Sequence, residues 1–330
     1  MLDFRPIERD EGAFQQPVTA GDITTICTRV YGAQARVISA IELGGGMYNN
    51  TYRLALVGLQ QPVVLRVAPA PERQFSSERT LMRNEYASIP YLAALAPLMP
   101  GVIAADWSHE VIGRDYMLQS LVMGVPAPEQ LGAYPRSAWS SFFGQMGTIA
   151  RTVHQVRGPS FGPVIGPAHA SWSGALIASL EAIAADLDSV GLAADDIRTA
   201  AGLVSEQRAV LDEIREPRLL TGDLWTVNVM LDATAPEPAI SGVLDMDRTW
   251  WGDPAADWTI RMALAKNDER TAFWDSYGQR ETSPSAAWRA QLYEVRHLGS
   301  IRLERHRLGN AKGVADSYDA MAATLRRLNR

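Results

Sequence analysis

A short segment in the second half of the chain combines side chains of the types that phosphoryl transfer requires. Asp223 and Asn228 are five residues apart in a loop that an apolar strand closes, and a turn and a second strand then lead to Asp245. A carboxylate such as Asp223 can orient a hydroxyl and accept its proton. Asn228 and Asp245 can hold Mg²⁺ against phosphates, because hard cations prefer oxygen ligands.

These residues belong to three segments that resemble the aminoglycoside phosphotransferase family, which has the protein-kinase-like fold. The similarity extends over residues 35–260, and its strength lies in the order and separation of the three segments. The segments are Thr221-Gly222-Asp223 with Asn228, Gly242-Val243-Leu244-Asp245-Met246-Asp247, and Gly252-Asp253-Pro254-Ala255-Ala256-Asp257. The resemblance implies an α+β, two-lobed molecule, in which a five-stranded antiparallel sheet with one helix precedes a mainly helical lobe.

The resemblance also implies a nucleotide site for ATP or GTP in the N-terminal lobe. Glycines in the turn over residues 42–52 let backbone amides approach phosphates closely. No lysine precedes Lys266, so Arg66 takes the place of the kinase lysine, with Glu85 as its expected partner. Backbone groups of residues 120–122 are the candidates for binding the base. The implied nucleotide-binding residues are Gly44, Gly45, Gly46, Asn50, Arg66, Glu85, Ser120 and Val122.

Three residues around the catalytic segment have expected structural roles. Thr221 stands where the family usually has histidine, and we expect it to make a local hydrogen bond. Asp253 precedes Pro254, a pattern typical of a helix N-cap. By analogy with the family, Asp257 is expected to orient the catalytic loop, which is the loop that contains Asp223 and Asn228.

Three further residues are candidates for contact with the acceptor. Asp247 is either a second acidic ligand or an exposed acid. Trp225 and Trp250 flank the proposed site and could stack on a substrate, and aromatic packing is the alternative for each.

The hydrophobic pattern predicts the elements that position these residues. Alternating apolar residues predict strands, and apolar residues at helical spacing predict helices. The predicted strands are 36–42, 51–57, 63–67, 102–106 and 116–122, followed by a β hairpin within 219–244. The predicted helices are 19–31, 77–96 with a kink at Pro90, 137–156, 172–190 and 195–215, with helix again from Pro254 to the end.

Length and composition place the chain among soluble two-lobed proteins. It has 330 residues, more than a single core usually accommodates. The change from strands to helices predicts a nucleotide-binding lobe over residues 1–122 and a catalytic and acceptor-binding lobe over 123–330. No apolar run is long enough to span a bilayer, and the N-terminus lacks the order of a signal peptide, so we expect a cytoplasmic protein without a membrane partner.

The composition also excludes several classes of function. Cys27 is the only cysteine, which rules out an intramolecular disulfide and a multi-thiolate metal site, and the five histidines are scattered. A net charge of −6 argues against nucleic acid as a partner. The oligomeric state stays open.

The charge is unevenly distributed along the chain. Residues 181–247 carry 14 acids and four arginines, a net charge of −10, and residues 288–330 carry a net charge of +5. Together with the resemblance to an antibiotic-resistance family, this favours a Mg²⁺-dependent O-phosphotransferase acting on an aminoglycoside-like or other cationic antibiotic. The alternatives are a kinase of another hydroxyl metabolite (choline, homoserine, sugar or nucleoside) and a non-catalytic pseudokinase, which the retained Asp223, Asn228 and Asp245 disfavour.

Overall fold

The chain forms two compact units, and a computed structural model describes residues 2–329 apart from the side chain of residue 268. The first unit contains the residues up to 74 together with 98–123. The second contains residues 75–97 and the chain from residue 124 onward.

A six-stranded sheet forms the first unit, and it contains all five predicted strands. These five strands pair in antiparallel fashion, which confirms the predicted sheet. The sixth strand comes from the N-terminal extension and pairs in parallel with its neighbour; at three residues it is too short to show an alternating pattern. In chain order the strands are β1 (Asp3–Arg5), β2 (Val37–Leu43), β3 (Asn50–Leu56), β4 (Val63–Val67), β5 (Val102–Asp106) and β6 (Tyr116–Ser120).

Helix α1 (Ala20–Tyr31) covers one face of this sheet. Thr19 begins it with a capping box, since its side chain accepts from the backbone N–H of Asp22 and the Asp22 carboxylate accepts in return. Ile23 and Ile26 point from the helix into the core, which they share with residues of β3 and β4.

The second unit is mainly helical, as predicted. Two predicted helices are shorter than expected. The helix predicted over 77–96 ends before Pro90, which has no N–H to continue α-helical bonding, and the helix predicted over 195–215 breaks at Gln207. The α-helices are α2 (Leu81–Ser88), α3 (Ala127–Gln130), α4 (Trp139–His154), α5 (Trp172–Ser189), α6 (Asp195–Glu206), α7 (Arg208–Leu211), α8 (Trp258–Ala265), α9 (Thr271–Tyr277), α10 (Pro284–Arg307) and α11 (Ala311–Leu328).

Short 3-10 helices connect many of these elements. They are Pro71–Arg73, Ser76–Glu78, Ile89–Leu98, Leu131–Ala133, Arg136–Ala138, Thr226–Asn228, Met246–Arg248, Pro254–Ala256 and Asn267–Glu269.

Two small sheets in the second unit carry the predicted catalytic segment. The predicted hairpin is present and a third strand joins it, giving β7 (Val125–Pro126), β10 (Val229–Leu231) and β11 (Ile240–Val243). The other sheet was not predicted, because its strands are only two or three residues long; it consists of β8 (Gly162–Pro163), β9 (Arg218–Leu220) and β12 (Trp250–Gly252).

The core of the second unit lies among α5, α6 and α10. Gly299 of α10 allows close packing, because a Cβ there would lie 2.8 Å from Ile197 and 2.9 Å from Ile183. Trp172 is fully buried in this core and donates a hydrogen bond from its indole N–H to the Tyr293 hydroxyl. Within residues 2–329, no helix combines the length and the apolar character needed to cross a bilayer.

Candidate active site

A glycine turn carries the chain from β9 to Asp223. Gly222 has φ +81°, and a Cβ at this position would lie 2.2 Å from the carbonyl carbon of Arg248. Only glycine therefore allows this backbone conformation and this close approach. The contact fixes the start of the catalytic loop against the segment that follows Asp245.

Asn228 holds Asp223 in place from within the same loop. Its amide nitrogen Nδ2 donates to the Asp223 backbone carbonyl at 2.8 Å and to the carboxylate oxygen Oδ2 at 3.2 Å. The 3-10 turn over Thr226–Asn228 makes this return contact possible. The amide oxygen of Asn228 accepts no hydrogen bond from any described residue.

The β hairpin brings Asp245 to the same end as Asn228. Val229 of β10 pairs with Val243 of β11, and the backbone N–H of Leu244 donates to the Asn228 carbonyl at 2.9 Å. Asp245 itself has a left-handed backbone, with φ 57° and ψ 50°. Such a conformation is uncommon for a residue other than glycine and is often found at functional sites.

Burial dominates the electrostatics of Asp223 and raises its pKa to about 7. The charge of Arg248 and the hydrogen bond from Asn228 lower this pKa, and the Asp245 carboxylate raises it further. A carboxyl group with a pKa near neutral is suited to accept a proton during a reaction.

The donor set of Asn228 and Asp245 fits a magnesium ion. Mg²⁺ is commonly bound by one or two protein oxygen ligands together with substrate phosphates. The uncommitted amide oxygen of Asn228 and the carboxylate of Asp245 supply two such oxygens. Among residues 2–329 no three His, Cys, Asp or Glu side chains cluster as a self-contained metal site.

A buried network around Asp257 orients the catalytic loop. The Asp257 carboxylate accepts from the backbone N–H of Thr221 at 2.6 Å, from the Thr221 hydroxyl at 2.9 Å and from the N–H of Gly222 at 3.2 Å. His154 of α4 contacts the same carboxylate through Nε2 at 2.7 Å and the Tyr277 hydroxyl through Nδ1 at 2.8 Å. Burial raises the pKa of Asp257, but the hydrogen bonds with His154 and Thr221 outweigh this effect and hold the pKa below its usual range.

The expected hydrogen bonding of Thr221 is thus made with Asp257, and Asp257 has the contacts expected of an orienting residue. In the sequence, His154 is one of five scattered histidines. It is 103 residues away from Asp257 along the chain, so no local pattern could have connected the two. Asp253 behaves as the predicted N-cap, since its carboxylate accepts from the Ala255 N–H at 3.0 Å.

Sequence reasoning also missed Asn84, a buried residue of α2. Its amide nitrogen donates to the backbone carbonyls of Asp247 at 2.8 Å and Thr249 at 3.0 Å, and its amide oxygen accepts from the Ile165 N–H. One side chain therefore fixes the backbone that follows Asp245.

The three acceptor-contact candidates all lie near the catalytic loop. Asp247 is buried. The Trp225 ring contacts Trp258 edge-to-face, and its indole N–H is buried without a partner among described residues. Trp250 is buried between Trp172 and the Arg296 guanidinium. Their contact with an acceptor stays a prediction.

In the first unit, the glycine turn links β2 and β3. Gly45 has φ +92°, a conformation that favours glycine, and Gly44 and Gly46 have no close neighbours that a side chain would displace. Glu42, buried at the start of the turn, accepts from the Asn50 amide at 2.8 Å and from the Ile7 N–H at 2.7 Å. Asn50 therefore helps close the turn.

Arg66 and Glu85 are both buried. Arg66 lies on β4 opposite Thr51 and Met117, and Glu85 lies on α2 in the second unit. At the predicted hinge, Ser120 pairs with Val63 in the sheet and its N–H donates to the Gly101 carbonyl at 2.8 Å. The pairing of Arg66 with Glu85 and the hinge role of Val122 stay predictions.

The fold and the catalytic loop define a small-molecule kinase with the protein-kinase-like fold. The chain belongs to the phosphotransferase enzyme family, whose model matches residues 39–292. This match confirms the resemblance predicted from the three sequence segments.

Solved structures share the fold at low sequence identity. An aminoglycoside phosphotransferase, APH(4)-Ia, in ternary complex with AMP-PNP and hygromycin B is 16% identical, with a TM-score of 0.64 and coverage of 93% of this chain and 98% of that one. A protein assigned as a fructosamine-3-kinase from Haemophilus somnus is 18% identical, with a TM-score of 0.62 and coverage of 92% and 96%. The GDP complex of wild-type aminoglycoside 2'-phosphotransferase-IIIa is 16% identical, with a TM-score of 0.60 and the same coverage. No curated protein sequence is a significant match.

Proposed function

We propose that this enzyme transfers the γ-phosphoryl group of ATP or GTP, with Mg²⁺, to a hydroxyl of a small molecule, and that Asp223 is its catalytic carboxylate. The observation that carries the proposal is the convergence of three side chains. Asn228 donates hydrogen bonds to Asp223, and the hairpin brings Asp245 beside Asn228. Phosphoryl transfer depends mainly on such positioning and on electrostatic stabilisation.

In the proposed reaction, Asp223 orients the acceptor hydroxyl towards the γ-phosphorus. The hydroxyl oxygen forms the new bond to phosphorus, the bond to the β,γ-bridging oxygen breaks, and the nucleoside diphosphate leaves. The hydroxyl proton passes to the Asp223 carboxylate. Asn228 and Asp245 would hold Mg²⁺, which neutralises phosphate charge when it is bound.

We further propose that the first unit binds the nucleotide phosphates. Two observations support this. The glycine turn has space around its glycines and is held by the hydrogen bond from Asn50 to Glu42, and the Arg66 side chain is buried. A guanidinium can bind phosphate through two parallel hydrogen bonds. Several structures with this fold are GDP or AMP-PNP complexes, which supports a nucleotide as the co-substrate.

Two acceptor classes are supported by different observations. Aminoglycoside ligands in structures with the same fold support a cationic antibiotic. Another hydroxyl metabolite is favoured by the ion pairs of the acidic segment, because several of its carboxylates already have cationic or hydrogen-bonding partners. Asp196 pairs with Arg302, Glu213 with Arg289, Asp188 with Arg198 and Glu216 with Arg218, and Asp186 accepts hydrogen bonds from Ser76 and Ser77.

The decisive test is Asp223→Asn, which keeps the side-chain shape and removes the proton acceptor. We expect the turnover number to fall by roughly 10² to 10⁴ and the affinity for Mg²⁺-nucleotide to stay within about threefold of wild type. Steady-state kinetics with a panel of hydroxyl acceptors, and nucleotide binding by calorimetry, provide the two readouts.

Asp232→Asn is the matched control, because Asp232 is an exposed carboxylate that caps a turn through Thr234. It should leave turnover unchanged. Turnover of Asp223→Asn within threefold of wild type would exclude Asp223 as the catalytic carboxylate.

A further inference from the structure

One face of helix α10 packs against residues 250–258, which follow the catalytic loop. The Tyr293 hydroxyl donates to Asp253 at 2.7 Å, the Arg296 guanidinium lies 4.4 Å from the centre of the Trp250 ring, and the His297 and Trp258 rings are 5.3 Å apart. Arg296, Ser300 and Glu304 follow one another at four-residue spacing and so share this face.

Arg296 is held rigidly by two contacts. Its Nε donates to the Ser179 hydroxyl on α5 at 2.8 Å, and its guanidinium stacks on Trp250. The side chain is half-buried. No carboxylate of residues 2–329 forms an ion pair with it, and its two terminal nitrogens donate to no described residue.

Two intermediate residues, Trp250 and Leu220, connect this arginine to the loop that contains Asp223. Trp250, under the guanidinium, pairs in β12 with Leu220 of β9, three residues before Asp223. Arg248, two residues before Trp250, contacts Gly222 through its backbone. The charge of Arg248 also acts on both groups, since it lowers the pKa of Asp223 and, after burial, is the second cause that lowers the pKa of Arg296 to about 10.

Comparison with Arg261 shows that the lack of a carboxylate partner at Arg296 is unusual. Arg261 also stacks on a tryptophan, Trp258 at 4.7 Å, but it binds the Glu294 carboxylate with Nε and Nη2 at 2.6 and 2.8 Å. Arg296 has the same kind of aromatic support and a like charge nearby instead of a carboxylate. A partly desolvated cation without an anion is costly unless a ligand supplies the anion.

We propose that Arg296 is the acceptor-recognition residue of this kinase and binds a carboxylate or phosphate group on the acceptor, so that the preferred acceptor is an anionic hydroxyl compound. The inference rests on the proposed function and narrows it, because it disfavours polycationic acceptors. Two terminal guanidinium nitrogens are the number that bidentate binding of a carboxylate or phosphate requires.

The test compares acceptors that differ only in charge. Glucose, gluconate and glucosamine form one set, and glycerol, glycerate and aminopropanediol form another. Wild-type enzyme should use the acid of each set most efficiently, as measured by kcat/KM at fixed Mg²⁺-ATP. Arg296→Met should raise the KM for the acids by roughly 10- to 100-fold, the effect of losing a charge-assisted pair. Arg296→Lys keeps the charge, and its KM for the acids should lie between those of wild type and Arg296→Met.

Controls separate recognition from folding and from nucleotide binding. Arg261→Met removes an arginine stacked in the same way on tryptophan and should leave the preference for acids intact. The KM for ATP should stay within about twofold in Arg296→Met. A preference for the neutral or amine member of each set, a rise in nucleotide KM alone, or equal effects of the two Met variants would overturn the inference.

Failure of the inference is distinguishable from failure of the proposed function. Transfer to amines or neutral alcohols that Asp223→Asn abolishes would leave the proposed function standing and remove this inference. If no compound is phosphorylated, the acids should still raise the melting temperature of wild type and not that of Arg296→Met. Absence of that difference also overturns the inference.

Discussion

At the residue scale, the site depends on the environment of one carboxyl group. Asp223 is largely removed from water, lies near the charge of a second carboxylate, Asp245, and is tied to Asn228. Burial and the Asp245 charge raise its pKa, the Arg248 charge and the Asn228 hydrogen bond lower it, and the pKa is about 7. The same burial also couples the stability of the fold to pH.

We predict that Asp223→Asn stabilises the metal-free enzyme at neutral and higher pH. The folded-state pKa of about 7 lies above the unfolded value of 3.8, so the folded protein holds its proton more tightly between those limits. Asp223 therefore contributes stability below about pH 4 that is lost as pH rises through 7. The contribution changes by at most about 1.4 kcal/mol per pH unit.

Thermal unfolding in EDTA from pH 4 to pH 8 measures this effect. The melting temperature of Asp223→Asn minus that of wild type should increase with pH and level off above pH 7. A difference that does not vary with pH would show that the Asp223 pKa is not raised.

We also predict that Asp245→Asn weakens magnesium binding specifically. Asparagine tolerates the left-handed backbone of residue 245 and keeps one oxygen, so the change removes mainly the charge. The Mg²⁺ concentration for half-maximal activity should rise on the order of tenfold, with partial rescue at high Mg²⁺. Titrations that give the same half-saturation in variant and wild type would exclude Asp245 as a ligand.

At the element scale, short connections place the proposed catalytic side chains. The turn from β9 to the catalytic loop works because Gly222 combines a positive φ with backbone contact to Arg248. The hairpin of β10 and β11 then sets the separation of Asn228 and Asp245 through its register. Asn84 of α2 fixes the following backbone from outside the hairpin.

We predict opposite effects for two Gly→Ala substitutions. Gly222→Ala should destabilise the second unit by more than about 1 kcal/mol and abolish activity, because Ala disfavours this φ and its Cβ would displace backbone. Gly202→Ala, at an exposed position of α6 with no atom within 4 Å of the new Cβ, should stabilise by about 0.5–1 kcal/mol. Chemical denaturation of both variants measures the changes; equal signs would contradict the argument.

At the scale of the whole molecule, the acidic and basic segments of the chain meet within the second unit at two ion pairs. The acidic segment over residues 181–247 folds against arginines of α10, so Asp196 pairs with Arg302 and Glu213 with Arg289. Arg302 is fully buried and its Nη2 lies 2.6 Å from Asp196. Breaking such a pair leaves an uncompensated charge in the core.

We therefore predict that Asp196→Ala destabilises the enzyme by about 3–5 kcal/mol, because it leaves the buried guanidinium of Arg302 without its anion. Asp316→Ala is the control: its partner Lys312 is 85% exposed, and the loss should stay below about 1 kcal/mol. Equilibrium unfolding in urea compares the two. Similar small losses in both variants would show that the buried pair contributes little.

The sequence by itself determined the family and the class of fold, and it supplied the candidate catalytic residues. Asp223, Asn228 and Asp245 could be found because one loop and one hairpin connect them, so their meeting depends on local chain geometry. The five strands could be predicted because short apolar, β-branched-rich runs bounded by turn residues are visible directly in residue order.

Only the tertiary structure decided which distant residues support that chemistry. Contacts of His154 with Asp257, of Asn84 with residues 247–249 and of Arg296 with Trp250 join positions far apart in the chain. Helix packing sets such contacts, and no spacing rule encodes them. The same holds for charge: residue counts gave −10 for one segment, but only the fold showed that two of those acids, Asp196 and Glu213, pair with arginines of α10 and that Arg296 forms no ion pair with a carboxylate among the described residues.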